Sequence, residues 1–377
     1  MPSRRGRNHA LRIVMIGPAL YPETGTSVLF QLLVDRMRAG GAIVHMVPIP
    51  RGGRNPFVKL LKLLGVLLKT MRLASHADAI SAHVPTPQLS NVAFASMIVA
   101  ALFRRPFIVR KFGGMDPSGL RPHARYLAEK TLRRSDVSFV EARKQCDDIT
   151  QRLRMEIFWY PNYRDSCGAP SPPHPMAGRF VYVGRVCHEK GIREIVEAVT
   201  SLGGRCSVDV YGPCENGLRR ELLDRSAHIH YRGVLTNANV PDVLPAYDAL
   251  LLPTYWEGEG YPGVIIEAFL AGLPVVATRW KFIPEMVDET CGILVEPGDV
   301  AGLVLAMERL ASDEALARRL RNGALSRAKE FSSDRWVELF VRTCHIARDY
   351  PRDDAERLRR MQGLYEPCQC NLSVSTA

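Results

Sequence analysis

Residues Asp248 to Thr278 read DALLLPTYWEGEGYPGVIIEAFLAGLPVVAT. The run to Leu252 has the length and apolar character of a buried strand, and Pro253 closes it. Gly258, Gly260 and Gly263 then form a turn in which the backbone can lie close to a bulky ligand. A helix is expected over Gly263–Ala271, and the apolar run at Val275–Ala277 is a second strand. Strand, helix and strand in this order belong to a parallel sheet covered by helices. The turn delivers free backbone N–H groups to a helix start, which suits an anion. Glu259 lies in that turn. Glu267 lies about one turn into the helix, beside Ile266, Phe269 and Leu270. A carboxylate in apolar company needs hydrogen-bond donors. A ribose diol has two, and sugar hydroxyls could serve Glu259 likewise. Taken singly, Glu267 also fits a local cap or pair, and Glu259 a solvated turn residue.

The same rhythm extends outward. Strands are expected at Phe180–Val183, Ser207–Tyr211, Ala249–Leu252 and Ile293–Val295, with helices at Ile192–Ser201, Gly217–Asp224, Val300–Ala311 and Glu314–Glu330. Upstream, strands are expected at Arg12–Ile16, Ile43–Val47, Ala79–Ala82, Phe107–Arg110, Val137–Val140 and Ile157–Tyr160. Helices fall between them at Thr26–Ala39, Pro56–Leu73, Leu89–Phe103, Arg125–Arg134 and Arg143–Arg154. Between the two series, residues 162–178 read NYRDSCGAPSPPHPMAG, rich enough in proline and glycine for a linker. The expected organisation is therefore an N-terminal Rossmann-like domain over 1–165, a linker over 166–178, and a second Rossmann-like domain over 179–332. A helix over 333–349 is expected to return to the first domain, and the polar tail, 350–377, to lack order. In such sheets ligands bind beyond the carboxyl ends of the strands.

The chain has 377 residues, too many for one core of ordinary size. Its net charge of +11 is uneven: residues 1–165 hold 26 Lys/Arg against 11 Asp/Glu, and residues 166–377 hold 24 against 28. The basic half suits an anionic partner: a membrane surface, a pyrophosphate-linked acceptor or a nucleic acid. No module that interleaves aromatic and basic residues supports the nucleic acid. The longest apolar run, Val92 to Phe103, is shorter than the roughly 20 residues of a membrane-spanning helix. The basic start at Met1–Asn8 precedes only a strand's length of apolar sequence, so no signal peptide is expected. Nine cysteines without a CxxC pair point to a reducing, cytoplasmic setting.

A second motif agrees with the first. Tyr182-Val183-Gly184-Arg185 ends a strand and Glu189-Lys190-Gly191 opens a helix, so Arg185 and Lys190 can grip one diphosphate from two sides. With these residues in view, the chain resembles the retaining glycosyltransferases of family 4, the group 1 glycosyl transferases of the GT-B fold. Glu259 and Glu267, with seven residues between them, match that family's glutamate pair. Glu257-Gly258-Glu259-Gly260 with Tyr261-Pro262-Gly263 matches its turn. Glu267-Ala268, Gly272, Pro274 and Thr278 match the run after it, and Gly292, Val295 and Pro297-Gly298-Asp299 match its later segment. Arg185 and Lys190 match its GR and KG motif.

The resemblance implies an α/β fold of GT-B architecture, two Rossmann-like parallel-sheet domains facing across a cleft. It implies a hexosyltransferase that keeps the anomeric configuration. The donor is a nucleotide-diphosphate sugar, most commonly UDP-linked. Glu259 would contact the donor sugar, Glu267 the ribose, and Arg185 and Lys190 the diphosphate. Gly260, Tyr261, Pro262 and Gly263 would line the donor site, and Val234 would meet the base through its backbone. No nucleophile is needed, because catalysis rests on positioning and on charge stabilisation. No Asp-x-Asp occurs, so no bound metal or other cofactor is expected. The expected acceptor is a saccharide or lipid-linked saccharide, in polysaccharide or glycoconjugate biosynthesis.

The first half matches less closely. Gly17 to Thr26, with Pro18, Pro22 and Gly25, resembles the family's first loop. His83 stands where family members often carry a histidine and is read equally as catalytic or structural. Arg110-Lys111-Phe112-Gly113-Gly114 has phenylalanine in place of the family's histidine, so the acceptor base is unassigned, with Lys111 and Asp116 the candidates by position. Pro56–Leu73 is basic and amphipathic, either a core helix with a solvated lysine stripe or a helix lying at the inner membrane face. Alternatives to transfer are an epimerase-like reaction on the same fold and an inactive relative that only binds.

Overall fold

The protein is described from a computed structural model, which covers residues 9–369 other than 22, 52–54, 166–176, 216–217, 219–222, 224–225, 351 and 353. The chain forms two compact units. Unit 1 is Met1–Pro161 together with Ser333–Ala377, and unit 2 is Asn162–Ser332. The first boundary thus falls four residues before the expected one. The expected linker lies almost wholly outside the described residues, as does the helix expected at 217–224.

Unit 1 is a six-stranded sheet in the order β2-β1-β3-β4-β5-β6, made of β1 Arg12–Pro18, β2 Ile43–Ile49, β3 Ala79–Pro85, β4 Phe107–Phe112, β5 Val137–Val140 and β6 Phe158–Trp159. All pairings are parallel. β4 and β5 are buried at every position, as strands covered on both faces must be. The connecting helices are α1 Gly25–Ala39, α2 Pro56–Ala74, α3 Phe94–Leu102, α4 Pro122–Arg134 and α5 Arg143–Leu153. The helix expected over Leu89–Phe103 is divided. Its first five residues, Leu89–Ala93, are a π-turn in which Phe94 N–H reaches Leu89 O, and α3 follows.

Helix α10, Ser333–Asp349, belongs to unit 1 and closes its core. The Trp336 ring stacks edge-on against Trp159 and Tyr160, and Phe340 packs on Phe139 and His83. Tyr160 Oη donates to the Trp336 carbonyl at 2.7 Å. Burying such rings stabilises the unit by about 2–3 kcal/mol each. The expected lack of order after residue 350 is corrected. Ala355–Gln369 forms α11, because Met361, Leu364 and Tyr365 recur at helical spacing and are buried. Tyr365 meets Phe139 and Phe158, its hydroxyl pairs with Thr343, and Arg357 holds Asp136 at 2.8 Å. Residues 370–377 lie outside the described residues.

Unit 2 is a second all-parallel sheet, ordered β12-β11-β10-β7-β8-β9. Its strands are β7 Arg179–Val183, β8 Ser207–Tyr211, β9 Ile229–Gly233, β10 Ala249–Leu252, β11 Val275–Thr278 and β12 Gly292–Val295. Helices α6 Ile192–Ser201, α7 Gly263–Leu270, α8 Val300–Ser312 and α9 Glu314–Ala328 connect them. The order reverses between β7 and β10, so the loops leaving these two strands part to opposite sides and leave a crevice at their carboxyl ends.

Candidate functional site

The crevice of unit 2 collects the charged residues expected there. After β7 the chain runs through Gly184 and Arg185. The Gly184 carbonyl lies where a Cβ on Gly212 would be, 1.8 Å away, so these two strand exits touch because one residue is glycine. The Tyr182 hydroxyl, whose burial pushes its pKa well above the ordinary range, donates to Arg185 O at 2.7 Å. Gly191 then turns the chain at φ 77°, where a Cβ would stand 2.2 Å from Pro253 O. That close approach sets Lys190 beside the exit of β10.

Lys190 Nζ donates to Glu259 Oε2 at 2.5 Å, and Thr254 Oγ1 donates to the same oxygen at 2.8 Å. Glu259 is only 5% exposed, so the pair is largely out of water. The face of Trp256 lies 4.9 Å from Lys190 Nζ and 5.3 Å from the Arg185 guanidinium carbon, which places both cations on one ring. Gly258 passes beneath that ring, where a Cβ would meet it at 2.4 Å. Residues after β11 tie the loop down. Thr278 Oγ1 donates to Thr254 O, Trp280 Nε1 to Trp256 O at 2.9 Å, and Lys281 pairs with Glu257 at 2.8 Å. Arg185 itself is exposed. The arrangement offers an anion one solvent-facing guanidinium, one ammonium and a carboxylate a few ångströms on.

Helix α7 begins next to this loop. Pro262 caps it without any side-chain hydrogen bond, so its first N–H groups are left to a ligand or water. Glu267 is half-buried, and its donor is Arg164, whose Nε lies 2.6 Å from Oε1. Nothing local in the sequence announces this partner. Tyr261 is buried, with its hydroxyl on Glu285 at 2.6 Å and its carbonyl taken by Asn162, so its side chain supports the turn rather than facing a ligand. Gly260 and Pro262 are likewise buried, while Gly263 is half-buried at the start of α7. Val234 follows Gly233 at the end of edge strand β9 and is exposed.

In unit 1 the structural reading of His83 holds and the catalytic one is corrected. The ring is 0% exposed, lies among Phe30, Phe112 and Phe340, and holds Ser81 Oγ at 3.0 Å. Burial, with Arg110 nearby, lowers its pKa well below the ordinary value, so it is a neutral core residue sealed from solvent. Gly25 opens α1, whose N-terminus is already capped by Thr24 and Ser27, with Arg51 bonded to Thr24 Oγ1 at 3.0 Å and to Ala19 O at 3.2 Å. Pro22 lies outside the described residues. Lys111 is fully buried, with Nζ on Gly113 O at 2.6 Å. Burial alone would raise the Asp116 pKa, but hydrogen bonds from Arg152 and Ser118 outweigh it and hold the carboxyl below its usual range. Neither is a ready base. Among the described residues the one grouping of three potential metal-ligand atoms is Cys187, Glu189 and Glu215. Burial pushes the Cys187 thiol up, and both carboxylate residues are exposed.

With this geometry in hand, comparison with known proteins is specific. Residues 177–313, which hold β7 to β12 and the whole crevice, match the family model described as glycosyl transferases group 1. The match spans most of unit 2. The chain is similar to the 2-deoxystreptamine glucosyltransferase of Streptomyces kanamyceticus, 32% identical over 44% of this chain and 43% of that one. It is similar to the O-antigen chain mannosyltransferase B of Escherichia coli, 26% identical over 49% and 50% respectively. The matched regions span about half or less of the length of these curated relatives. Among solved structures, HepE of Anabaena in complex with UDP and glucose aligns at a TM-score of 0.71 and 16% identity, over 89% of this chain and 100% of that one. The lipopolysaccharide outer core galactosyltransferase WaaB aligns at 0.65 and 15%, over 88% and 98%. These likenesses show the fold, which is GT-B, an α/β architecture of two Rossmann-like units.

Proposed function

We propose that the chain is a retaining hexosyltransferase that moves a sugar from a nucleoside-diphosphate donor, of the uridine series, to a saccharide or lipid-linked saccharide in polysaccharide or glycoconjugate biosynthesis. The observation that carries the reading is the meeting of Arg185, Lys190 and Glu259 at the switch point of unit 2. As the bond from the anomeric carbon to the diphosphate breaks, negative charge builds on the leaving oxygen. Arg185, Lys190 and the unpaired N–H groups at the start of α7 stand ready to offset it. Glu259 is held by Lys190 and Thr254 as an acceptor for the donor sugar's hydroxyls, and Glu267 serves the ribose. The acceptor hydroxyl attacks from the face the diphosphate leaves, which preserves the anomeric configuration without a protein nucleophile. No bound metal is proposed; any magnesium would arrive with the nucleotide. The names of the relatives, a glucosyltransferase and a mannosyltransferase, and the UDP held by HepE support the class of donor.

The acceptor is assigned to unit 1. Helix α2 buries only Val66, Thr70 and Ala74, and exposes Phe57, Leu61, Leu64 and Leu68 among its lysines. That exposure favours the membrane-face reading of α2 over the core-helix one. Leu68 is 67% exposed, and Ile98 and Leu102 of α3 extend the exposed apolar surface. Apolar side chains beside cations suit the headgroup region of an anionic membrane. No helix among the described residues is long and apolar enough to cross one. Beside α2 a cavity of roughly 570 Å³ is lined by Arg51, Lys59, Lys62, Leu63, Gln88 and Asn91, a mixed basic and apolar wall fit for a lipid-borne phosphate. These features support a reading in which the enzyme works at the cytoplasmic face of a membrane.

A thermal-shift panel of uridine, guanosine and adenosine diphosphates and their sugars tests the donor. A ligand at 100 times its dissociation constant stabilises by about 2.7 kcal/mol. A shift with the uridine series supports the reading, a shift with the guanosine or adenosine series alone overturns the base assignment, and no shift with any series overturns the whole. Proton NMR of the first-formed product then reads the anomeric configuration, and product that forms without an acceptor would favour the epimerase-like alternative.

A further inference from the structure

We infer that Arg164 is a positioning residue of the donor site, one that sets Glu267 to recognise the ribose of the nucleotide. The inference rests on the donor reading above and adds a residue to it. Arg164 lies three residues into unit 2 and is anchored through its backbone. Its N–H donates to Phe331 O at 3.0 Å, and the residue pairs in parallel with Ser332. Its Nη1 donates to the carbonyl of Tyr163 at 3.0 Å. The guanidinium therefore has little freedom, and it reaches α7 across a gap in sequence of 103 residues.

Two observations tie it to Glu267. The first is the 2.6 Å bond from Nε to Oε1, between side chains 11% and 10% exposed. The second is Gly263, the first residue of α7, where a Cβ would stand 1.9 Å from Arg164 Nη2. Only glycine lets the guanidinium lie against the first turn. A cation at a helix N-terminus is disfavoured by the helix dipole, so its presence there needs the Glu267 carboxylate. The bond fixes Oε1, while Oε2 has no hydrogen-bond partner among the described residues. A carboxylate so held accepts hydrogen bonds and donates none. It suits a vicinal diol, and a 2′-deoxyribose leaves it one hydroxyl donor instead of two. Without Arg164 the carboxylate would turn toward water, and the preference for ribose would fall while the grip on the phosphates stayed.

The experiment uses the full chain and isothermal titration with UDP, GDP and ADP and their 2′-deoxy counterparts. The wild type is expected to favour the ribonucleotide of its base series by about tenfold or more, the value of one good hydrogen bond to a charged acceptor. In Arg164→Ala that ratio is expected to fall to about twofold, with the ribonucleotide losing more affinity than the 2′-deoxy form. Arg164→Lys, which keeps the charge and preserves folding where alanine does not, is expected to restore part of the ratio. Glu267→Gln should behave like Arg164→Ala. A wild-type ratio in both Arg164 variants, or an equal loss for the two sugars, would overturn the role. A wild type that binds a ribonucleotide without preferring it refutes the inference alone. A wild type that binds none of the diphosphates refutes the donor reading with it.

Discussion

Replacing Lys190 by methionine separates what the ion pair does for folding from what the cation does for chemistry. Glu259 keeps its carboxylate at 7% side-chain exposure, with Lys190 at 2.5 Å and Thr254 at 2.8 Å as its donors. In Lys190→Met one hydroxyl remains to satisfy a buried charge. Breaking a buried pair on one side costs about 3–5 kcal/mol. The lower figure suits this site, because the Lys190 side chain is 13% exposed and water can follow it. Unit 2 spans 171 residues, and at that size each kcal/mol moves the melting temperature by about 2–4 °C. Scanning calorimetry should therefore record a loss of about 6–12 °C. The double variant Lys190→Met with Glu259→Gln leaves no buried charge and should recover most of that loss. Its turnover should nevertheless stay about 10²–10³-fold below wild type, since the leaving group lacks its ammonium and the donor sugar its carboxylate. A single variant that melts within about 1 °C of wild type would deny the pair its structural weight. A double variant with wild-type turnover would remove Lys190 from the chemistry.

Three further outcomes follow from other parts of the chain. The folded-state pKa of His83 is depressed, so protons bind the unfolded chain first, and stability is lost as pH falls below about 6.5; His83→Phe should flatten the melting temperature between pH 7 and 5, and an unchanged slope would contradict its burial as a neutral ring. Asp116 is depressed as well, and its contribution is present above its unfolded value and fades as pH falls through its folded one; the difference in melting temperature between wild type and Asp116→Asn should shrink below about pH 4, and a constant difference would argue against the Arg152 pair. Leu64→Glu with Leu68→Glu should abolish co-sedimentation with vesicles containing anionic lipid and leave nucleotide affinity intact; sedimentation as strong as wild type would remove α2 from the membrane reading.

The strands were legible because a sheet covered on both faces needs short apolar runs, and runs such as Val137–Val140 and Ala249–Leu252 are that and nothing else. The meeting of Arg185, Lys190 and Glu259 was legible because each sits at a strand exit marked by glycine. Trp256 and Thr254 lay in plain view within the same stretch, but a ring beneath two cations and a hydroxyl beside a carboxylate leave no periodic trace. Arg164 had no local signal at all, because its partner is 103 residues away. His83 misled for the opposite reason: its position in β3 suggested chemistry, and only the packing of Phe30, Phe112 and Phe340 shows it sealed. α11 was missed because three apolar residues in a polar segment look like a tail until Phe139 and Phe158 supply the surface that Tyr365 covers. The π-turn at Leu89–Ala93 differs from an α-turn by one residue of hydrogen-bond span, which composition does not register.

Unit 1 is assembled from two separate segments of the chain, and this bears on how related proteins could exchange parts. A single crossover between two related genes, placed after unit 1's first segment, would deliver residues up to Pro161 without their own Trp336, Phe340 and Tyr365. The foreign helices would have to fill an aromatic socket shaped for others. Two crossovers avoid the mismatch, one near Pro161 and one near Ser332. Arg164 and Ser332 are paired side by side, so those two junctions are neighbours in space. Unit 2 is in this sense a cassette with adjacent ends, replaceable as a block, and under the donor reading proposed above, shuffling of nucleotide-sugar preference should leave paired breakpoints at these two places and spare unit 1.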